Sequence, residues 1–207
     1  MKGLLVKDLL MMRQHIFLTL VIILVYAFVA VTANGMAEVF SFITIFLGIF
    51  FPVNTLAYDD KAHWDRLALS MPVSRTTVIL SKYLLSLGFM VVLSAVSLFF
   101  IWAIQKGAVT TEDFLGVAGV LALGITLVSI MLPLMFKFGV EKARVIIFLI
   151  VILPVLASML ISKFDVSVEW SVLSNAKTAS LCIGVAVIFL LVVSFLCSLS
   201  IYRRKEF

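Results

Sequence analysis

The sequence predicts an all-α integral membrane protein with six transmembrane helices. Of its 207 residues, 64% are hydrophobic and 13% are charged, about half the charged fraction of a soluble domain. Six apolar runs carry almost no charge, and most are long enough to cross about 30 Å of hydrocarbon as helices. The runs are Ile16–Ala33, Val39–Ala57, Tyr83–Ile104, Phe114–Phe136, Val145–Ser162 and Ala179–Ile201.

The runs are helices rather than strands of a barrel, because none shows the strict alternation of a membrane strand. No loop between them is long enough for a second, soluble domain. We therefore expect a single transmembrane domain over residues 1–207.

The basic residues predict the topology. Thirteen of the 16 fall in the N-terminal segment, the loop after the second run, the loop after the fourth run and the tail. The other three are Lys106, Lys163 and Lys177. Because cytoplasmic segments retain Lys and Arg, both termini are expected in the cytoplasm and the span count is even. The net charge of +5 is interpreted as this topology signal, and no nucleic-acid partner is expected.

The longest polar passage, residues 58–75, lies between the second and third spans. Trp64, Leu67, Ala68 and Met71 recur in it at helical spacing, which places them on one face of a helix. This predicts a short amphipathic helix over residues 58–70, parallel to the membrane on its cytoplasmic side. Periodicity leaves two interpretations open, an interfacial anchor in the headgroup region and a docking surface for a cytosolic partner.

Residues at the ends of this passage carry capping signals. Asp59 or Asp60 is expected at the N-cap of the amphipathic helix, where a carboxylate also favours the helix dipole. Pro72 is expected to end that helix. Ser74 is placed to cap the next helix, which is predicted to continue through Lys82 into the third span.

The N-terminal segment has a smaller apolar stripe. Leu5, Leu9 and Met12 fall at i, i+4 and i+7, with Lys2 and Arg13 close to them. The stripe predicts an N-terminal interfacial helix. A solvated basic segment that only fixes the topology is the alternative.

The sequence contains no constellation typical of catalysis. It has no phosphate loop of the G-x-x-x-x-G-K-[ST] type. His15 and His63 are not spaced as a metal pair, and no histidine lies inside a span. We therefore expect no catalytic residue, no metal and no cofactor in this chain. Acidic residues occur only in loops and at span ends, which disfavours ion coupling. An ion-coupled carrier and a non-transporting immunity or scaffold protein remain as alternatives.

The polar passage also carries a family resemblance. The run from Asp60 to Tyr83, with Trp64–Arg66, Leu69–Arg75, Val78 and Ser81–Tyr83, resembles the corresponding loop of small six-span type-2 ABC transporter permeases, the ABC-2 family. The N-terminal segment, the six spans and the short basic tail extend the resemblance over nearly the whole chain. The chain is similar to permeases that export phenol-soluble modulins and to bacitracin- or lantibiotic-resistance permeases.

The resemblance implies a permease subunit of an ATP-driven exporter in a bacterial plasma membrane. Its substrates would be hydrophobic or amphipathic compounds, in particular toxin or antimicrobial peptides. ATP and Mg would be bound by separate cytosolic ATPase subunits, and a second, equal or related permease would complete a homo- or heterodimer. The amphipathic helix would be the coupling helix that contacts the ATPase. Its implied contact residues are Asp59, Asp60, Lys61, Trp64, Asp65, Arg66 and Leu67.

Overall fold

A computed structural model describes residues 2–32, 37–62, 64, 67, 74–105, 109–146, 148, 149, 152 and 176–204. The regular structure of these residues is helical, which confirms an all-helical chain for the described part. The helices are α1 (Lys2–Met11), α2 (Arg13–Thr32), α3 (Ala37–Lys61), α4 (Arg75–Ile104), α5 (Thr111–Phe138), α6 (140–146) and α7 (Ala176–Arg204).

Four of the described helices, α3, α4, α5 and α7, are long and apolar enough to cross a membrane. Helices α1 and α2 are bent by 59° relative to each other and make a fifth candidate if the pair forms one span. The predicted span Val145–Ser162 falls mostly outside the described residues. The chain is thus a multi-pass helical membrane protein, and the count of six spans stays a prediction.

Two of the long helices extend well beyond their predicted apolar runs. Helix α3 continues past Ala57 to Lys61, and α4 begins at Arg75, before the apolar run that starts at Tyr83. The start of α4 confirms the predicted cap, because the Ser74 hydroxyl accepts a hydrogen bond from the Thr77 amide at 3.2 Å. Such a cap satisfies a backbone donor that has no partner within the helix.

Helices α3, α4 and α5 pack against one another, and α7 packs mainly against α5. Ile79, Met90, Leu132 and Tyr202 are completely buried in the largest core cluster. The approach of α5 is close at Gly124, since a Cβ there would lie 3.2 Å from side-chain atoms of Ile45 and Met90, which would have to shift slightly. Small residues allow this close helix packing where lipid surrounds the bundle.

Four serine hydroxyls of α4 are satisfied by their own helix. Ser81, Ser86, Ser94 and Ser97 each donate to a backbone carbonyl three or four residues earlier, at 2.7–3.1 Å. These bonds reduce the cost of placing polar atoms at membrane depth.

One end of the bundle holds most of the charged side chains of the described residues, whereas Glu112 and Asp113 lie at the start of α5. The N-terminal helix contacts the end of α3 through Lys7 and Asp59, at 2.6 Å. The Arg75 guanidinium donates to the backbone carbonyl of Arg203 at 2.7 Å. These contacts bring the N-terminal segment, the α3–α4 connection and the tail together, while the cytoplasmic location of this end stays a prediction. We call this part of the molecule the charged end.

Candidate functional site

The predicted coupling segment begins as the last turn of α3. Asp59, Asp60 and Lys61 all lie within this helix, and the Ala62 amide still bonds to the Tyr58 carbonyl at 3.0 Å. The prediction that Asp59 or Asp60 caps a separate helix is therefore wrong. The second span simply continues as a helix into the polar passage, because nothing between Ala57 and Lys61 breaks the backbone pattern.

Only part of the remaining segment is described. Trp64 and Leu67 both have helical backbone, whereas Asp65 and Arg66 and the predicted stop at Pro72 lie outside the described residues. Leu67 is 51% exposed, while Trp64 is half-buried against the largest core cluster. An amphipathic helix over residues 58–70 thus stays a prediction.

Asp59 does not face solvent but lies in a buried group of four charges. Its Oδ1 accepts from the Lys7 ammonium at 2.6 Å, and its Oδ2 lies 2.5 Å from the Lys82 ammonium. Lys82 also donates to Asp8 Oδ2 at 2.8 Å, and Lys7 lies 3.1 Å from Asp8 Oδ1. We call Lys7, Asp8, Asp59 and Lys82 the ionic junction.

Three members of the ionic junction are buried, Lys7 is 18% exposed, and the formal charges of the four sum to zero. Asp8 is 1% exposed, and Asp59 and Lys82 are each 5% exposed. Burying charges is expensive, and the mutual attraction offsets that cost only while every charge keeps its partner. Removal of one member leaves an uncompensated buried charge, at about 3–5 kcal/mol. The four side chains therefore hold α1, the end of α3 and the start of α4 together as an interdependent set.

Lys7 extends the ionic junction to Trp64. Its ammonium lies 3.9 Å from the centroid of the Trp64 ring, within the range of a cation–π interaction. The Trp64 Nε1 atom is buried and has no hydrogen-bond partner in the described part of the chain. One lysine on α1 thus contacts both Asp59 and the tryptophan of the predicted coupling segment.

Asp60 and Lys61 face away from the ionic junction. Asp60 Oδ2 accepts from the Val140 amide at 3.3 Å, at the first residue of α6. Gly139, with a φ of 78°, makes the turn between α5 and α6, a conformation that glycine adopts most readily. The carboxylate thus caps a neighbouring helix instead of its own. Lys61 is exposed, and the described residues offer it no ion pair.

The start of α4 is tied to the last helix as well. Arg75 contacts the carbonyls of Tyr202 and Arg203 at 3.4 and 2.7 Å, where a cation complements the negative end of α7. Deeper in the bundle, the Tyr83 hydroxyl bonds to Ser194 and Ser198 at 2.6 and 2.8 Å. Displacement of the α3–α4 connection would therefore act on α1, α6 and α7 as well.

Three members of the ionic junction were missed by the sequence reasoning, which interpreted Lys7 and Lys82 as topology signals. A signal for Asp8 was available. It falls three residues after Leu5 and four before Met12, so it lies on the same face as the apolar stripe of α1. A carboxylate on a buried face requires a cation. Periodicity could not identify that cation, because Lys82 is 74 residues away along the chain.

The described residues contain no group of three metal-ligating side chains that could hold an ion. At the charged end, buried polar contacts connect one short segment to several helices.

No curated protein and no solved structure matches the chain. Residues 3–203, nearly the whole sequence, match the family described as ABC-2 family transporter protein. The chain therefore belongs to the ABC-2 family and is a membrane permease component of an ABC transporter.

Proposed function

We propose that this chain is the permease subunit of an ATP-driven exporter in a bacterial plasma membrane, with the charged end in the cytoplasm. Two permease subunits would form the transport path, and separate cytosolic ATPase subunits would bind ATP and Mg. The exported compounds would be hydrophobic or amphipathic, with peptides as the principal class. Family membership and the excess of basic residues at the charged end support this assignment.

The observation that carries the mechanism is the position of Asp59. It is the point where the segment that leaves α3 is bound to two other helices, through Lys7 and Lys82. A nucleotide can bias the permease only if its two conformations hold the ATPase differently. We propose that closure of the ATPase subunits displaces the segment containing Trp64 and Leu67. The ionic junction would then pass this movement to α1 and α4.

The predicted contact residues would have three different roles. Leu67 and Lys61 are exposed and would contact the ATPase directly, together with Asp65 and Arg66. Asp59 and Trp64 would not contact the ATPase directly, because Lys7 already contacts the Asp59 carboxylate and the Trp64 ring. Asp60 would hold α6 in place through the Val140 amide.

The test is co-purification of the tagged full-length chain from its native membrane. We expect an ATPase with a phosphate loop to co-purify with the wild type and Leu67→Asp to reduce its recovery at least tenfold. Val109→Asp is the control, since Val109 is an exposed apolar residue between α4 and α5 and outside the predicted spans, 40% exposed against 51% for Leu67. The proposal is wrong if no ATPase is recovered with the wild type, or if Leu67→Asp and Val109→Asp behave alike.

A further inference from the structure

A groove runs along one face of α3 toward the charged end. Phe46, Phe50 and Val53 of α3 line it together with Leu127 and Met131 of α5 and with Phe148, and its volume is about 560 Å³. Among the described lining residues only Asn54 and Arg144 are polar. An apolar cavity of this size with few polar groups is typical of a small-ligand site. We call it the α3 groove.

The two polar residues of the α3 groove lie at the end of the groove that is nearer to the C-terminus of α3. There it adjoins a smaller cavity of about 140 Å³, and Asn54 and Arg144 line both. His15, Tyr58, Lys61 and Ala57 complete the described lining of the smaller cavity. Two cations and three neutral or titratable donors thus face this space, and no carboxylate is among its described lining residues.

The acidic residues of this region line a different cavity. Asp60 and Glu141 lie on a third space of about 420 Å³ beside Gly139 and Val140, and the Asp60 carboxylate is engaged by the Val140 amide. Arg144 and Lys61 have no ion pair with a described residue. Lys61 and Arg144 also line the space that holds Asp60 and Glu141, but the smaller cavity has two cations and no carboxylate among its described lining residues, which makes it complementary to an anion.

The positions of the two cavities along α3 match those of the acyl chain and the headgroup of a membrane lipid. Phe46, Phe50, Val53 and Asn54 fall at i, i+4, i+7 and i+8, so they share one face of α3. The apolar stretch from Phe46 to Val53 rises about 10 Å, within the roughly 15 Å of hydrocarbon that one leaflet provides. Lys61 lies about two turns beyond Asn54 along the helix axis, a rise of about 10 Å, and just under one turn beyond Tyr58. Apolar side chains thus lie at acyl-chain depth and cations at headgroup depth.

We infer that the α3 groove binds an anionic phospholipid of the leaflet at the charged end. One acyl chain lies along Phe46, Phe50 and Val53, and the phosphate lies in the smaller cavity between Arg144 and Lys61. Basic pockets between transmembrane helices bind anionic headgroups in this way. The charge at the mouth favours this occupant over a cationic amphipathic peptide. The inference does not depend on the proposed transport function.

The experiment measures lipid binding to the full-length chain in detergent by native mass spectrometry, with phosphatidylglycerol and phosphatidylcholine of identical acyl chains. We expect wild type to bind phosphatidylglycerol at least about fivefold more tightly, the factor that one basic residue contributes at an anionic surface. Arg144→Gln should remove this preference, and Arg144→Lys should keep most of it. Arg204→Gln removes an exposed cation at the same end that does not line either cavity, and it should leave the preference unchanged.

Asn54→Trp provides a second test that retains every charge. An indole at the boundary of the two cavities should lower the affinity for both lipids. The inference is overturned if wild type binds the two lipids equally, or if Arg204→Gln has the same effect as Arg144→Gln. It is also overturned if Asn54→Trp leaves lipid binding intact but dissociates copies of the chain, because the α3 groove would then be a subunit interface.

Discussion

The Lys82 ammonium lies 2.5 Å from Asp59 Oδ2 and 2.8 Å from Asp8 Oδ2, so that one buried cation joins α4 to both α3 and α1. This contact joins a residue just after the second predicted span to a residue just before the third. A force on the residues between Lys61 and Ser74 therefore acts on α1, α3 and α4 together, because Lys82 joins these three helices. The proposed transmission of force depends on this arrangement.

The first prediction compares two adjacent aspartates. Asp59→Asn leaves the ionic junction with one excess positive charge in a buried site, so it should lower the free energy of unfolding by about 3–5 kcal/mol. Asp60→Asn keeps a side-chain oxygen that can accept from the Val140 amide, so it should cost less than about 1 kcal/mol. Thermal denaturation of the two variants in detergent measures the difference. Equal losses would show that Asp59 is not held in a buried ionic set.

The second prediction concerns the neutrality of the ionic junction. Asp59→Asn combined with Lys82→Met leaves Lys7 and Asp8 as a balanced pair, so the double variant should be more stable than either single variant. Charges in one network are not expected to contribute additively. The same denaturation assay on the two single variants and the double variant forms a complete cycle. Additive losses would contradict the four-charge arrangement.

The third prediction separates the ring of Trp64 from its polar atom. Trp64→Phe keeps an aromatic face for Lys7 and removes a buried N–H without a described partner, so its stability should stay within about 1 kcal/mol of wild type. Trp64→Ala loses the half-buried ring and should cost about 2 kcal/mol, less than for a fully buried tryptophan. Trp102→Ala, at an exposed site about 30 Å along α4 from Lys82, is the control. A larger loss for Trp64→Phe than for Trp64→Ala would refute this account of the ring.

The fourth prediction concerns the approach of α5 to α3 and α4. Gly124→Leu places side-chain atoms where a Cβ alone would already lie 3.2 Å from Ile45 and Met90, so it should cost about 1–3 kcal/mol. Gly119→Leu is the matched control in the same helix, because a Cβ there would meet nothing within 4 Å. Thermal stability and the yield of folded protein in detergent provide the measurement. A Gly119→Leu loss as large as that of Gly124→Leu would count against the packing described for this face.

Much of the fold follows from local chemistry, and most of the site does not. The apolar runs predicted α3, α4, α5 and α7, because lipid requires continuous helices of that length. Ser74 was predicted as a cap because the signal is contained within four residues. The continuation of α3 from Tyr58 to Lys61 was not predicted. Hydropathy marks where a helix leaves the hydrocarbon, whereas the helical backbone can continue beyond that point.

The ionic junction could not be predicted from the sequence for a different reason. Lys7 and Asp59 are 52 residues apart, and Asp8 and Lys82 are 74 apart. Their pairing depends on how three helices pack, which neither periodicity nor charge counting describes. Asp8 was the one local sign, because a carboxylate on the apolar face of α1 requires a buried partner.

The most direct test of the proposed mechanism is ATP-driven uptake of a fluorescent amphipathic peptide into inverted membrane vesicles, measured together with ATP hydrolysis. Asp59→Asn combined with Lys82→Met is compared with wild type and with Asp60→Asn. If the ionic junction transmits the movement, the double variant keeps its ATPase subunits and hydrolyses ATP, but its uptake per ATP falls at least tenfold, while Asp60→Asn transports nearly as wild type. Unchanged uptake per ATP in the double variant would contradict the account.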